Sequence, residues 1–167
     1  ADLFYQILRL LNEPVASIGT LGVKYDGKII KTKLTSPDTI SLHKTLEYLK
    51  KKKIENVIIE ASSHGLDQKR LHNIKFKAAI FTNFSQDHLD YHKNMRSYLN
   101  SKLILFNKII DKSCSIISDK NIQPFAKLQK IAKRKKIKIL DINNLFNKIK
   151  LIINNENSDF KYKNIAM

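Results

Sequence analysis

A chain of 167 residues, 43% hydrophobic and 28% charged, is about one average domain long, has no room for a second full one, and has a globular rather than a disordered or fibrous composition. No apolar run approaches the ~18 residues of a membrane-spanning helix, the opening Ala1-Asp2-Leu3-Phe4-Tyr5 has none of the parts of a secretory signal, and the single Cys114 excludes an internal disulfide and suits a reducing cytoplasm. The balance of 31 Lys+Arg against 15 Asp+Glu leaves +16, which attracts polyanions. However, the excess is lysine, with arginine only at Arg9, Arg70, Arg96 and Arg134, and the planar fork that reads bases is arginine's.

In chain order, Leu3, Phe4, Ile7, Leu8 and Leu11 recur at helical spacing, and Pro14 ends that helix. Val15 to Thr20 reads as a strand, and Asp26-Gly27 as the turn before a second strand from Lys28 to Lys33. Ser36-Pro37-Asp38 is a helix start, with proline at or near the first helical position, leading into Ile40, Leu42, Leu46 and Leu49. Further on come strands at 56–61 and 78–82, a helix at 95–110, a strand at 115–118, a helix at 122–135 and strands at 137–140 and 150–153, with a polar turn at 154–158. The runs Lys50 to Lys53 and Lys133 to Lys136 fall at helix ends, where cations complement the dipole. Strands alternating with helices predict an α/β architecture: a mostly parallel sheet with flanking helices and a small hairpin near residues 18–33.

In such a sheet, ligands bind beyond the carboxyl ends of the strands. Two strand ends are unusually polar: Glu60-Ala61-Ser62-Ser63-His64-Gly65, and Thr82-Asn83 followed by Asp87-His88-Leu89-Asp90-Tyr91-His92. Parallel neighbours would bring Glu60 and the 87–92 cluster to one rim, where carboxylate and imidazole suit a divalent metal. Equally, Glu60 reads as a cap or surface acid and the histidines as solvent-facing. Lys102 shares a stripe with Tyr98, Leu105, Phe106 and Ile109, which places its amine either in a partly desolvated position or out in solvent at the end of a snorkelling chain. The stretch from Gly22 to Lys28 matches the start of a G-x-x-x-x-G-K phosphate loop. It continues into Ile29 rather than a hydroxyl residue and sits in a hairpin, so it is set aside.

Several motifs in linked order carry a resemblance: Gly19-Thr20-Leu21-Gly22; Leu34-Thr35-Ser36-Pro37-Asp38 with Leu42-His43; Glu60 to Leu66 with Gln68 and Arg70; Phe81-Thr82-Asn83; Asp87 to His92; and Met95, Tyr98, Ser101-Lys102 and Leu105-Phe106. The chain resembles the central, P-loop-type ATPase domain of the Mur ligases, most closely the type that adds the third residue of the peptidoglycan stem peptide. The match is dense from about Gly19 to Phe106 and thin beyond.

The resemblance implies ATP-dependent amide formation: phosphorylation of a carboxylate on UDP-N-acetylmuramoyl-L-Ala-D-Glu, then attack on the acyl phosphate by an amino acid, diaminopimelate or lysine. It implies ATP and Mg²⁺ as cofactors, a cytoplasmic monomer, and no specific nucleic-acid or membrane partner. It matches Glu60 to the ligand of a first Mg²⁺, His88 to that of a second, and Lys102 to a lysine carbamylated by CO₂ into a metal ligand, with Lys102 and His88 as the catalytic pair. Thr35, Ser36, Ser62, Gln68 and Arg70 match positions that hold the UDP-sugar peptide, and Asn83 lies in the cofactor-binding motif. Ser101 stands where alanine is usual, and Gln86 where an arginine is common.

The family's phosphate-binding loop, the uridine-binding domain before it and the amino-acid-selecting domain after it have no counterpart in this sequence. A partial central domain that neither binds ATP tightly nor turns over alone is therefore expected. Other readings stand beside this one: another amide ligase of the same family, a basic nucleic-acid-binding α/β module, and a zinc hydrolase built on His88, Asp90 and His92.

Overall fold

The computed structural model describes residues 1–143; the strand expected at 150–153 and the turn at 154–158 lie outside them. The chain divides into two compact units, Ala1–Asn73 and one beginning at Ile74, each with its own sheet.

In the first unit, helix α1 (Asp2–Leu10) leads into strand β1 (Val15–Gly19), hairpin strands β2 (Gly22–Tyr25) and β3 (Lys28–Ile30), helix α2 (Thr39–Lys51), strand β4 (Asn56–Ile59) and the short helix α3 (Ser63–Asp67). The sheet order is β3-β2-β1-β4. β1 is buried along its whole length and pairs antiparallel with β2 and parallel with β4, in a register that sets Ile18 against Ile59. The expected hairpin forms because Asp26 and Gly27 both take positive φ, 47° and 73°, the conformation a two-residue turn between twisted strands requires. α2 starts two residues later than proline-first reasoning expects. Asp38 is its N-cap, accepting from the Ser41 amide at 3.0 Å, so Pro37 precedes the cap. Short polar caps outcompete proline because they satisfy an orphan amide. The lysine run closes the helix as expected, with Lys50 and Lys51 in its last turn.

α1 is fastened to the hairpin through its N-terminal half. The Tyr5 hydroxyl accepts from the Gly27 amide at 3.1 Å, and the Lys24 ammonium donates to the Asp2 carboxylate. That hydrogen bond, helped by another from the Gln6 amide, lowers the Asp2 pKa below its ordinary value against the opposing effect of burial. A carboxyl whose pKa is depressed by folding contributes stability above its unfolded pKa and loses it as pH falls through the folded value. Acid titration of the unfolding free energy should therefore fall below about pH 4, and Asp2→Asn should flatten that limb while leaving the neutral-pH helix signal in place.

In the second unit, β5 (Ala78–Phe81) is followed by α4 (Leu89–His92), α5 (Met95–Ile104), one π-helical turn (Leu105–Ile109), β6 (Ser115–Ser118), α6 (Phe125–Lys135) and β7 (Lys138–Asp141). The three strands are parallel in the order β5-β6-β7. Their core holds Phe81, Leu103, Phe106, Ile116, Leu128 and Ile131. The single helix expected over 95–110 is thus an α-helix that widens at Leu105. Ile110 donates its amide five residues back to the Leu105 carbonyl at 3.0 Å. Bulges of this kind leave carbonyls that need outside donors, and Lys135 on α6 supplies them. Its ammonium reaches the carbonyls of Phe106 at 3.3 Å and Asn107 at 3.1 Å, and that of Ile110. One lysine of the basic run therefore caps the turn after Lys102 rather than facing a polyanion. Lys135→Met should cost the full chain about 1–3 kcal/mol in urea unfolding, the range for charge-assisted hydrogen bonds. Lys133→Met at the exposed neighbouring position should cost far less.

One expectation fails. β4 and β5 are not ladder partners: each is the edge strand of its own sheet, so parallel pairing does not build a common rim for Glu60 and the 87–92 cluster. β1 pairs with one edge of β4, and the other edge of β4 has no ladder partner among the described residues.

Candidate functional site

In the first unit, the parallel pairing of β1 and β4 ends both strands on the same side of the sheet, and the polar residues collect there. The Glu60 amide donates to Ile18 O at 2.8 Å, extending the ladder by one bond, so the side chain swings over Gly19. Only hydrogen fits under it: a Cβ on Gly19 would lie 2.4 Å from the Glu60 carboxyl carbon. Thr20 fixes the carboxylate with two donors on Oε2, its amide at 2.8 Å and its hydroxyl at 2.9 Å. Oε1 points elsewhere, 3.8 Å from the Ala1 nitrogen, beyond hydrogen-bond range. The Thr20 hydroxyl also lies 3.3 Å from that of Thr35.

Ser36 organises the other side of the strand end. It is fully buried; its hydroxyl donates to Glu60 O at 2.8 Å and accepts from the Ser62 amide at 3.0 Å, with the Ser62 hydroxyl 2.9 Å away. Ser62 in turn caps α3, accepting from the Gly65 amide at 3.1 Å. Arg70 donates to the Ser36 carbonyl at 2.8 Å and to the Gln68 side-chain oxygen. Thr35, Ser36, Glu60, Ser62, Gln68 and Arg70 thus form one connected network. Arg70 and Ser36 already have protein partners within it, so the first effect of both is to hold the loop. Sequence reasoning gave Thr20 no role; the signal was its place directly after β1, opposite the end of β4.

In the second unit the polar residues gather on Tyr98. This ring is 5% exposed. Phe84 stacks on it at 5.4 Å, the His88 ring meets it edge to face at 5.9 Å, and His92 lies tilted at 5.3 Å. The Lys102 ammonium nitrogen, one helical turn on, sits 4.9 Å from its centroid and 6.0 Å from that of Phe81. Burial lowers the Lys102 pKa, and the Asp87 charge partly restores it; the same burial raises the Tyr98 phenol. The stripe thus holds Lys102 in a desolvated position rather than as a fully snorkelling side chain.

His88 caps α4 in left-handed backbone (φ 53°), its amide bonded to Asp87 Oδ1 at 2.8 Å and its Nε2 3.4 Å from Asp87 Oδ2. Asn83 lies just past the end of β5, exposed. The short helices α3 and α4, both carrying site residues, escaped sequence reasoning because four or five residues show no periodicity.

The zinc-hydrolase reading is not supported. His92 is 5% exposed, wedged against Tyr91 and Tyr98 with its Nδ1 3.5 Å from the Ser101 hydroxyl. Among the described residues no three His, Cys, Asp or Glu side chains are placed to hold a metal ion. Ser101, at a position where alanine is usual in the resemblance, instead adds a polar neighbour for this buried imidazole.

Taken singly, Glu60 in the first unit and Lys102 in the second have donor chemistry that a hard divalent cation can use. A Glu60 carboxylate held by one oxygen offers the other, and an oxygen donor is what Mg²⁺ takes. Lys102 as an ammonium offers no lone pair, but a buried amine with a lowered pKa is the form that reacts with CO₂ to give oxygen donors.

Comparison with known proteins bears on the family. The chain matches the Mur ligase middle domain over residues 1–165. It is 50% identical over 102 residues, 61% of this chain, to the UDP-N-acetylmuramoyl-L-alanyl-D-glutamate--2,6-diaminopimelate ligase of Wigglesworthia glossinidia brevipalpis. It is 39% identical over 135 residues, 79% of this chain, to the ligase of the same name from Anaplasma marginale (strain St. Maries). A solved structure of a ligase with this name superposes with a TM-score of 0.73 at 27% identity over 84% of this chain. The matches span 21% and 28% of the two relatives and 28% of the solved chain. With the family model matching residues 1–165 of its 167, this chain belongs to the Mur ligase middle domain family.

Proposed function

We propose that the chain is the catalytic middle portion of a ligase that joins diaminopimelate to UDP-N-acetylmuramoyl-L-alanyl-D-glutamate with consumption of ATP in the cytoplasm. The observation that carries this is the pair of prepared side chains: a Glu60 carboxylate clamped by Thr20 over Gly19, and a Lys102 amine desolvated on Tyr98 and Phe81. The names of the relatives support the amino acid.

In this reading Glu60 would hold one Mg²⁺, His88 a second, and Lys102, once carbamylated, would supply further oxygen ligands. Bound Mg²⁺ neutralises charge on the transferred phosphoryl group. Thr20 fixes which Glu60 oxygen is presented. In the same reading Thr35, Ser36, Ser62, Gln68 and Arg70 would shape the loop that receives the sugar-peptide, and Asn83 would contact the nucleotide. The phosphoryl group passes from ATP to the substrate carboxylate, and the incoming amine then displaces phosphate to form the amide. Where the family's phosphate loop and flanking domains complete the enzyme, this segment supplies metal and substrate contacts.

The test is a chimera in which this chain replaces the matching segment of the Wigglesworthia ligase. ATP-dependent addition of diaminopimelate is expected, and Lys102→Ala and Glu60→Ala should abolish it while Lys112→Ala leaves it intact. A folded chimera whose activity survives both losses would refute the assignment.

A further inference from the structure

Tyr98 has no role in the site as assigned so far, yet it is the side chain that the second unit's chemistry-bearing groups share. It lies one turn before Lys102 on α5, where i and i+4 side chains meet. The Lys102 nitrogen stands 4.9 Å from its centroid, within range of cation attraction to a ring face. His88 reaches the same ring edge to face at 5.9 Å, although it comes from the loop that caps α4 and has a strained left-handed backbone. Phe84 and His92 pack on it at 5.4 and 5.3 Å, and Tyr98 is left 5% exposed.

Building on the proposed function, we propose that Tyr98 is a positioning residue: one immobile aromatic ring sets the distance and direction between the Lys102 amine and the His88 imidazole, so that both are in place before any ligand arrives. The ring, not the phenolic oxygen, does this. Phenylalanine should therefore substitute for it and an aliphatic residue of similar bulk should not.

The experiment uses the full chain and its Tyr98→Phe and Tyr98→Leu variants, each checked for an unchanged far-ultraviolet spectrum. Acetic anhydride is applied near pH 11, about half a unit above the ordinary lysine pKa, so the rate at each lysine, mapped by mass spectrometry, reports access more than charge. Lys108 and Lys112, both exposed, serve as internal references. In the unaltered chain and in Tyr98→Phe, Lys102 should react about tenfold or more slowly than Lys112, because at this pH the amine is neutral and the packed ring shields it sterically until the site opens; in Tyr98→Leu that protection should largely vanish.

In untreated samples of the same three chains at neutral pH, Mn²⁺ should broaden the His88 ring-proton resonance, and Tyr98→Leu should need several-fold more Mn²⁺ for equal broadening. Full protection of Lys102 in a folded Tyr98→Leu chain would overturn the proposal, as would a Lys102 that reacts like Lys112 in the unaltered chain, a result that needs no variant to fold. Protection that depends on the ring, with a His88 resonance indifferent to Mn²⁺, would uphold the positioning role and instead defeat the assignment of His88 to metal.

Discussion

Gly65→Ala should destabilise the first unit by about 2–4 kcal/mol, among the largest losses available to a single added methyl group. A Cβ at this position would lie 2.6 Å from Ser36 Cβ, 2.8 Å from its hydroxyl and 3.0 Å from the Ser62 hydroxyl. None of these can step aside. Ser36 is fully buried, and its hydroxyl joins the Glu60 carbonyl, the Ser62 amide and the Ser62 hydroxyl in one knot. Moving it by the several tenths of an ångström needed to clear the methyl would break hydrogen bonds that buried groups cannot replace with water. The Arg70 bond to the Ser36 carbonyl would be strained as well. Urea unfolding of the full chain measures the loss; a Gly65→Ala chain as stable as the original would mean that the network is loose and that this loop is not pre-built.

Gly19→Ala should do the opposite: little harm to stability, and a large loss of divalent-cation binding. Its Cβ would fall 2.4 Å from the Glu60 carboxyl carbon and 2.5 Å from Oε2, but this neighbour is the end of a flexible side chain that can rotate away. In doing so it would give up both Thr20 hydrogen bonds, and the oxygen presented for the cation would go with it. Mn²⁺ affinity, read by electron paramagnetic resonance, should fall about tenfold, or about 1.4 kcal/mol, with an unfolding free energy changed by less than about 1 kcal/mol. Comparable Mn²⁺ binding by both chains would remove Glu60 from the metal site.

The contrast between these two glycines shows where the sequence was readable. The motif from Glu60 through Gly65 was visible, but the sequence could not show that Gly19 and Gly65 are both small for contact reasons, because their partners, Glu60 and Ser36, are 41 and 29 positions away. Strands β1, β6 and β7 and the 25–28 turn were legible because alternation, β-branched residues and Asp-Gly chemistry are local. The pairing of β4 was not legible: hydrophobic pattern marks a strand without naming its neighbour. Lys102 stood out as a lysine on an apolar stripe, whereas Tyr98 on the same stripe looked like ordinary core. Only the coordinates show four side chains resting on it.

The central claim is that Glu60, His88 and Lys102 are metal-side groups. Anomalous diffraction from crystals of the full chain soaked in Mn²⁺ and bicarbonate tests it most directly. The account predicts Mn²⁺ signal within about 2.2 Å of Glu60 and His88 donors, close to the oxygen-ligand distances of small divalent cations, together with extra density extending the Lys102 amine. Mn²⁺ bound only at other side chains, with Glu60 still held by Thr20 and Lys102 unmodified on its ring, would contradict it.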